Sequence, residues 1–326
     1  MTDSSLPPAA SDLDPAIQTF INRMRAGWAQ YPDMDRLPYP EVRKIIEAVR
    51  APWTEGGPEM ASTEEISVPT RSGPVRVRLY SPQSCAEGLS PALLYLHGGG
   101  WTYFSLETHD RVMREYAERA GVIVVGIDYP LAPEAKFPVA LEAIVDVTEW
   151  LYEHGDEHGI DVERMISGGD SAGANLTMGL CQSLRDSGKG DVIKGMLLIY
   201  GAFQKDCSDE AHRKYGGPGY MLGSDEMAVF WGNYIKSEDD VRNPLLSSMY
   251  ADVAGLPPAF FTIPECDVLS EQSYRMAEKL ERAGVAATQV TYKGASHSFL
   301  EAISIAEIAE RAVADSAAWV RQIVRS

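Results

Sequence analysis

Apolar and polar positions change their rhythm along the chain near residue 60. Before that point the spacing is helical. Asp14-Pro15 reads as an N-cap followed by proline at the first helical position, predicting a helix that runs to about Trp28. Val42, Ile45, Ile46 and Val49 recur at helical intervals and predict a second helix opening near Pro40. Pro52, Gly56, Gly57 and Pro58 then interrupt the pattern and place a boundary over 51–58. After it, residues 66–69 and 75–80 read as two strands joined by a turn at Arg71-Ser72-Gly73. Short apolar runs follow at 92–96, 122–127, 196–200 and 259–263, with helical stretches at 107–120, 138–152 and 172–185 between most of them. A further strand at 288–292 precedes a C-terminal helical region. Buried strands alternating with helices predict an α/β fold with a mostly parallel sheet covered on both faces, the antiparallel pair lying at its edge.

The segment 204–235 departs from this alternation. It is glycine-rich at Gly216, Gly217 and Gly219, then helical with Met227, Phe230, Trp231 and Tyr234. It is too long for a simple crossover and too aromatic for a solvated loop. The expected organisation is an N-terminal helical cap segment over 1–60, a first part of the α/β core over 61–203, a cap insertion over 204–240, and the rest of the core over 241–326.

A chain of 326 residues can bury one large core with an appended lid. Its net charge of −18 argues against nucleic acid or an anionic membrane surface as partner, because phosphate binding draws on Lys and Arg. The polar start, residues 1–11, lacks the basic and apolar regions of a secretory signal, and no apolar run reaches the length of a membrane span. Cys85, Cys181, Cys207 and Cys266 are scattered without a CxxC pair, so reduced thiols and a cytoplasmic location are expected.

The chemistry concentrates in four places. Gly169-Asp170-Ser171-Ala172-Gly173 follows an expected strand ending near Gly168 and opens a helix, the setting a nucleophile elbow requires. Upstream, His97-Gly98-Gly99-Gly100 follows the strand 92–96 and offers backbone N–H groups to an oxyanion, with the N–H of Ala172 as a further donor. No phosphate-loop spacing is present. A serine hydroxyl needs a base. Of the six histidines, His297 stands apart, just past the strand 288–292, where open α/β sheets place their sites. Asp267 follows the strand 259–263 and is the expected acid, with Glu265 and Glu271 as rivals. The order Ser171, Asp267, His297 matches one serine-triad fold and no other. Met24, Trp28, Tyr31, Phe203, Tyr220, Phe230 and Trp231 are candidates for an acyl or alcohol pocket, with helical-stripe core packing as the alternative role for each. No Cys/His spacing suggests a metal.

These motifs, with Asp128-Tyr129-Pro130-Leu131-Ala132-Pro133-Glu134 and Trp101 added, resemble the hormone-sensitive-lipase-like (family IV) carboxylesterases. The resemblance implies the α/β-hydrolase fold with a helical cap, hydrolysis of short- to medium-chain esters without cofactor or metal, and a homodimer in many members. It assigns the oxyanion donors to Gly98, Gly99 and Ala172. Three positions depart from the family pattern: Pro130 replaces an arginine, Val268 a proline, and Ser298 a glycine. Each bears on the rim of the pocket. Two alternatives stay open: a changed reaction on the same nucleophile (cleavage of amides, thioesters or lactones, or acyl transfer onto another alcohol), and a ligand-binding receptor built on an inactive hydrolase. All three triad side chains are kept, which argues against the receptor.

Overall fold

The computed structural model describes residues 9–85 and 88–325. Most of the polar start read above, residues 1–8, therefore lies outside the described residues. Helix α1 (Pro15–Trp28) begins where the Asp14 carboxylate accepts the Ala16 N–H at 2.8 Å. Helix α2 (Tyr39–Thr54) runs into the break expected at 51–58, with Pro52 in its last turn.

The remaining elements alternate. They are β1 (Ser62–Val68), β2 (Val75–Ser81), β3 (Ser90–Leu96), α3 (Asp110–Ala120), β4 (Ile123–Ile127), α4 (Val139–His154), β5 (Ile160–Asp170) and α5 (Ala172–Asp186). After them come β6 (Ile193–Ile199), α6 (Asp209–Tyr215), α7 (Ser224–Tyr234), β7 (Ala259–Cys266), α8 (Ser270–Arg282), β8 (Ala287–Ser296) and α9 (Glu307–Ile323). Among the described residues eight strands form one sheet in the order β1-β2-β4-β3-β5-β6-β7-β8. The pairs β1·β2 and β2·β4 are antiparallel and every other pair is parallel.

The central strands β3, β4, β6 and β7 match their apolar runs, and β5, expected only at its end near Gly168, runs back to Ile160; edge strands match less well. β1 starts at Ser62 rather than near residue 66, because its first residues are polar and exposed and are held on β2 by the backbone ladder and by the Glu65 carboxylate, which accepts from Arg78 Nε at 2.7 Å. At the other edge β8 extends on both sides of 288–292, through alternating exposed positions. Burial on both faces makes a continuous apolar run, whereas an edge is held by backbone pairing and solvated polar contacts, which leave no such run.

Two apolar layers flank the sheet. Ala92, Leu94 and Leu96 of β3 face a layer shared with α4, α5 and α8, while Leu93 and Tyr95 face one shared with α1, α3 and α9. The period-two alternation of β3 thus serves two cores at once. The four cysteines are unpaired. Among the described residues no helix is long and apolar enough to cross a membrane.

Candidate active site

The carboxyl ends of β3, β5, β7 and β8 carry the chemical motifs to one rim of the sheet. Ser171 occupies the single position between β5 and α5. Its φ of 54° is a strained conformation for a residue with a Cβ. The turn survives because its surroundings fix it. The Ser171 N–H donates to Ile199 O at 2.8 Å. Leu96 O lies so close that a Cβ on Gly169 or Gly173 would sit 2.1 or 1.8 Å from it. Only glycine fits at either position.

His297 follows β8 directly and Asp267 follows β7 directly. Nε2 of His297 is 2.9 Å from Ser171 Oγ, and its Nδ1 is 2.8 Å from Asp267 Oδ2. Asp267 Oδ1 also accepts the Leu269 N–H at 3.1 Å, which fixes the plane of the carboxylate. All three side chains are buried. The rival acids lie elsewhere. Glu265 is exposed and accepts the Gly294 N–H, and Glu271 stands in α8 with Arg275 3.7 Å away. Ser298, where the family pattern has glycine, has a φ of 58°, in the left-handed region glycine enters without strain.

The glycine loop requires one correction. The Gly98 N–H donates to Asp170 Oδ1 at 3.0 Å, and an amide has a single proton to give. Gly98 is therefore not an oxyanion donor in this geometry. Gly99, Gly100 and Ala172 are the backbone positions that line the cavity beside Ser171. Asp170 also accepts from Tyr95 Oη at 3.0 Å and faces His109 Nε2 at 3.2 Å. Burial pushes the Asp170 carboxyl up, but His109 and these hydrogen bonds hold it below its ordinary range.

His97 lies behind the loop, stacked on Tyr129 with ring centres 4.4 Å apart. Burial, with neighbouring His109 adding to it, lowers its imidazole from 6.5 to about 4. Below pH 6.5 the unfolded chain binds a proton here that the folded chain refuses. Stability from this group is thus complete above pH 6.5 and is lost as pH falls toward 4, by about 3 kcal/mol in all. His97→Phe keeps a ring on Tyr129 and removes the titration. Its urea midpoint is expected to fall less between pH 7 and 4.5 than that of the parent, and parallel declines would refute this account.

A cavity of about 400 Å³ opens over Ser171 and His297. Of the expected pocket residues, Trp28 of α1 and Phe230 and Trp231 of α7 line it. The other four do not. Phe203 is fully buried and packs edge-on against Phe261, 6.1 Å away. Tyr220 turns its hydroxyl to Asp12 at 2.9 Å. Met24 belongs to the layer under α1, and Tyr31 lines a separate groove between α1 and α2. Helical spacing reports which residues share a face, not which of two grooves the face meets. Sequence reasoning missed Tyr103 and Phe104, which follow Trp101 in the glycine loop, together with Met221, Glu226 and Arg50. Arg50 alone carried a signal, being a cation within the apolar stripe of α2 formed by Val42, Ile46 and Trp53.

Comparison with known proteins adds a second line of observation. A family model described as the α/β-hydrolase fold matches residues 93–301. The acetyl esterase of Salmonella schwarzengrund (strain CVM19633) is 33% identical over 313 residues, covering 95% of this chain and 94% of that protein. The hyperthermophilic esterase from the archaeon Pyrobaculum calidifontis superposes with a TM-score of 0.87 at 33% identity, over 96% of this chain and 99% of its own. A thermostable carboxylesterase cloned from a metagenomic library gives 0.85 at 29% identity, over 90% and 99%.

Proposed function

The chain belongs to the hormone-sensitive-lipase-like carboxylesterases of the α/β-hydrolase superfamily and is a carboxylic ester hydrolase, and from that premise we propose that it cleaves short- to medium-chain esters through an acyl-enzyme on Ser171. The observation that carries the reading is the unbroken hydrogen-bonded line Asp267–His297–Ser171 ending at the cavity. In the first step His297 Nε2 takes the Ser171 proton as Oγ attacks the ester carbonyl. The carbonyl oxygen gains charge and is met by the N–H groups of Gly99, Gly100 and Ala172, the last at the positive end of α5. Asp267 holds the imidazole in the tautomer with its proton on Nδ1 and stabilises the cation that forms. The imidazolium gives its proton to the leaving alcohol, and water then repeats the sequence on the acyl-enzyme.

A cavity of about 400 Å³ lies toward the small end of ligand pockets, roughly 300–1,000 Å³. Walls from α1, α2 and α7 suit the reading of residues 1–60 and 204–240 as a cap. With p-nitrophenyl esters of rising acyl length, kcat/KM is expected to peak between acetate and hexanoate and to collapse by dodecanoate. A fluorophosphonate probe is expected to add one mass increment, at Ser171. A protein that binds esters but neither turns over nor takes the label would be a receptor, and the proposal would fail.

A further inference from the structure

We infer that Arg50, paired with Glu301, is a positioning residue for hydrolysis, bracing from α2 the loop after the oxyanion glycines against the turn after His297. The inference rests on the Ser171 reading above. Arg50 is 2% exposed. Its Nη1 donates to Glu301 Oε2, and the side chain of Glu301 is equally buried. Its guanidinium carbon lies 3.9 Å from the centre of the Phe104 ring. Among the described residues Arg50 Nε and Glu301 Oε1 are buried without a hydrogen-bond partner.

A pair satisfied so incompletely is a poor source of stability, since the desolvation of both charges offsets their attraction. Apolar side chains of similar volume would hold α2 on the core at least as well. They would not reach two loops with directional contacts, which is what Arg50 does. The Phe104 ring presses on Gly99, where a Cβ would come within 2.8 Å of it. Phe104 itself has a φ of 71°, a conformation that a residue with a side chain keeps only under restraint. On the other side, Glu301 lies in the 3₁₀ turn Phe299–Ser304, and its N–H donates to Ser298 O at 3.2 Å, one residue past His297. Arg43, two turns earlier on α2, holds the same glycine-following loop. Its Nε donates to Thr102 O and its Nη2 to Ala132 O, both at 2.8 Å, and it forks onto Glu134.

The experiment uses the full chain carrying R50M/E301M, because R50M alone strands a buried carboxylate and weakens the fold. The double variant is expected to melt within about 5 °C of the parent and to take the fluorophosphonate label to completion. Its kcat for p-nitrophenyl acetate should fall on the order of 10- to 100-fold with KM nearly unchanged, and a trifluoromethyl ketone should bind more weakly by the same factor. Phe104→Leu, which removes the stacked ring and leaves both charges, should lower kcat with the same constancy of KM. Parental kcat and inhibitor affinity in either folded variant overturn the inference while leaving the Ser171 reading standing. A parent enzyme unlabelled at Ser171 overturns both.

Discussion

Replacing Ser171 by alanine is expected to lower kcat about a million-fold while leaving the protein folded. In the proposed mechanism the loss is this large because the nucleophile, its base and the acid act as one unit, so removing Oγ also idles His297 and Asp267. What remains, roughly 10³–10⁴ over water, comes from binding and from the amides of the glycine loop. Stability separates this outcome from unfolding. Alanine inherits the φ of 54° with its strain, so the melting temperature should stay close to that of the parent. Ser171→Gly is equally inactive but relieves the strain, and should gain about 1 kcal/mol against urea. The pair of variants therefore reads out the strain stored at the elbow apart from the chemistry. Hydrolysis of p-nitrophenyl acetate by Ser171→Ala within tenfold of the parent rate would mean that another group attacks the ester.

The division between what could be read from the sequence and what could not follows physical lines. β3, β4, β6 and β7 were legible because strands covered on both faces are runs of apolar residues, as in Leu93, Leu94, Tyr95 and Leu96, whereas β5 was expected only at its end, from the Ser171 motif that follows it. The outer strands were legible only in part, since Ser62 to Glu65 are exposed and polar, held by the backbone ladder and by the Glu65–Arg78 pair, and leave no apolar run. Ser171, Asp267 and His297 could be named in advance because each follows a strand directly, so the sheet decides where each goes. The glycine loop was legible as a motif but not in its hydrogen bonding. That Gly98 spends its proton on Asp170 depends on a carboxylate 72 residues away, brought alongside by the β3–β5 pairing. The pocket was least legible. Its walls come from three helices whose faces are visible and whose docking is not, so Trp28 and Tyr31, neighbours at the end of α1, fall into different grooves. Arg50 is the instructive exception. A charge on a buried stripe conflicts with its local pattern, and such conflicts tend to mark function.

The second large effect concerns Asp267, and its size follows from the atoms around the carboxylate. In Asp267→Asn one side-chain oxygen remains and one becomes NH₂. The oxygen must take the Oδ1 position, because the Leu269 N–H points there and an amide nitrogen would confront it donor to donor. The NH₂ then faces His297 Nδ1, which must accept instead of donate. The ring proton is driven to Nε2, toward Ser171 Oγ, and the remaining lone pair, on Nδ1, faces away from the hydroxyl, so the imidazole cannot act as its base. A substitution that moves almost no atoms should thus cost roughly ten-thousandfold in kcat at neutral pH, with KM little altered. Glu265→Gln and Glu271→Gln, which touch acids outside this line, should change kcat by less than twofold. Should Asp267→Asn keep substantial activity while Glu265→Gln loses it, the imidazole would be oriented by a different carboxylate, and the line from Asp267 to Ser171 would be a structural contact alone.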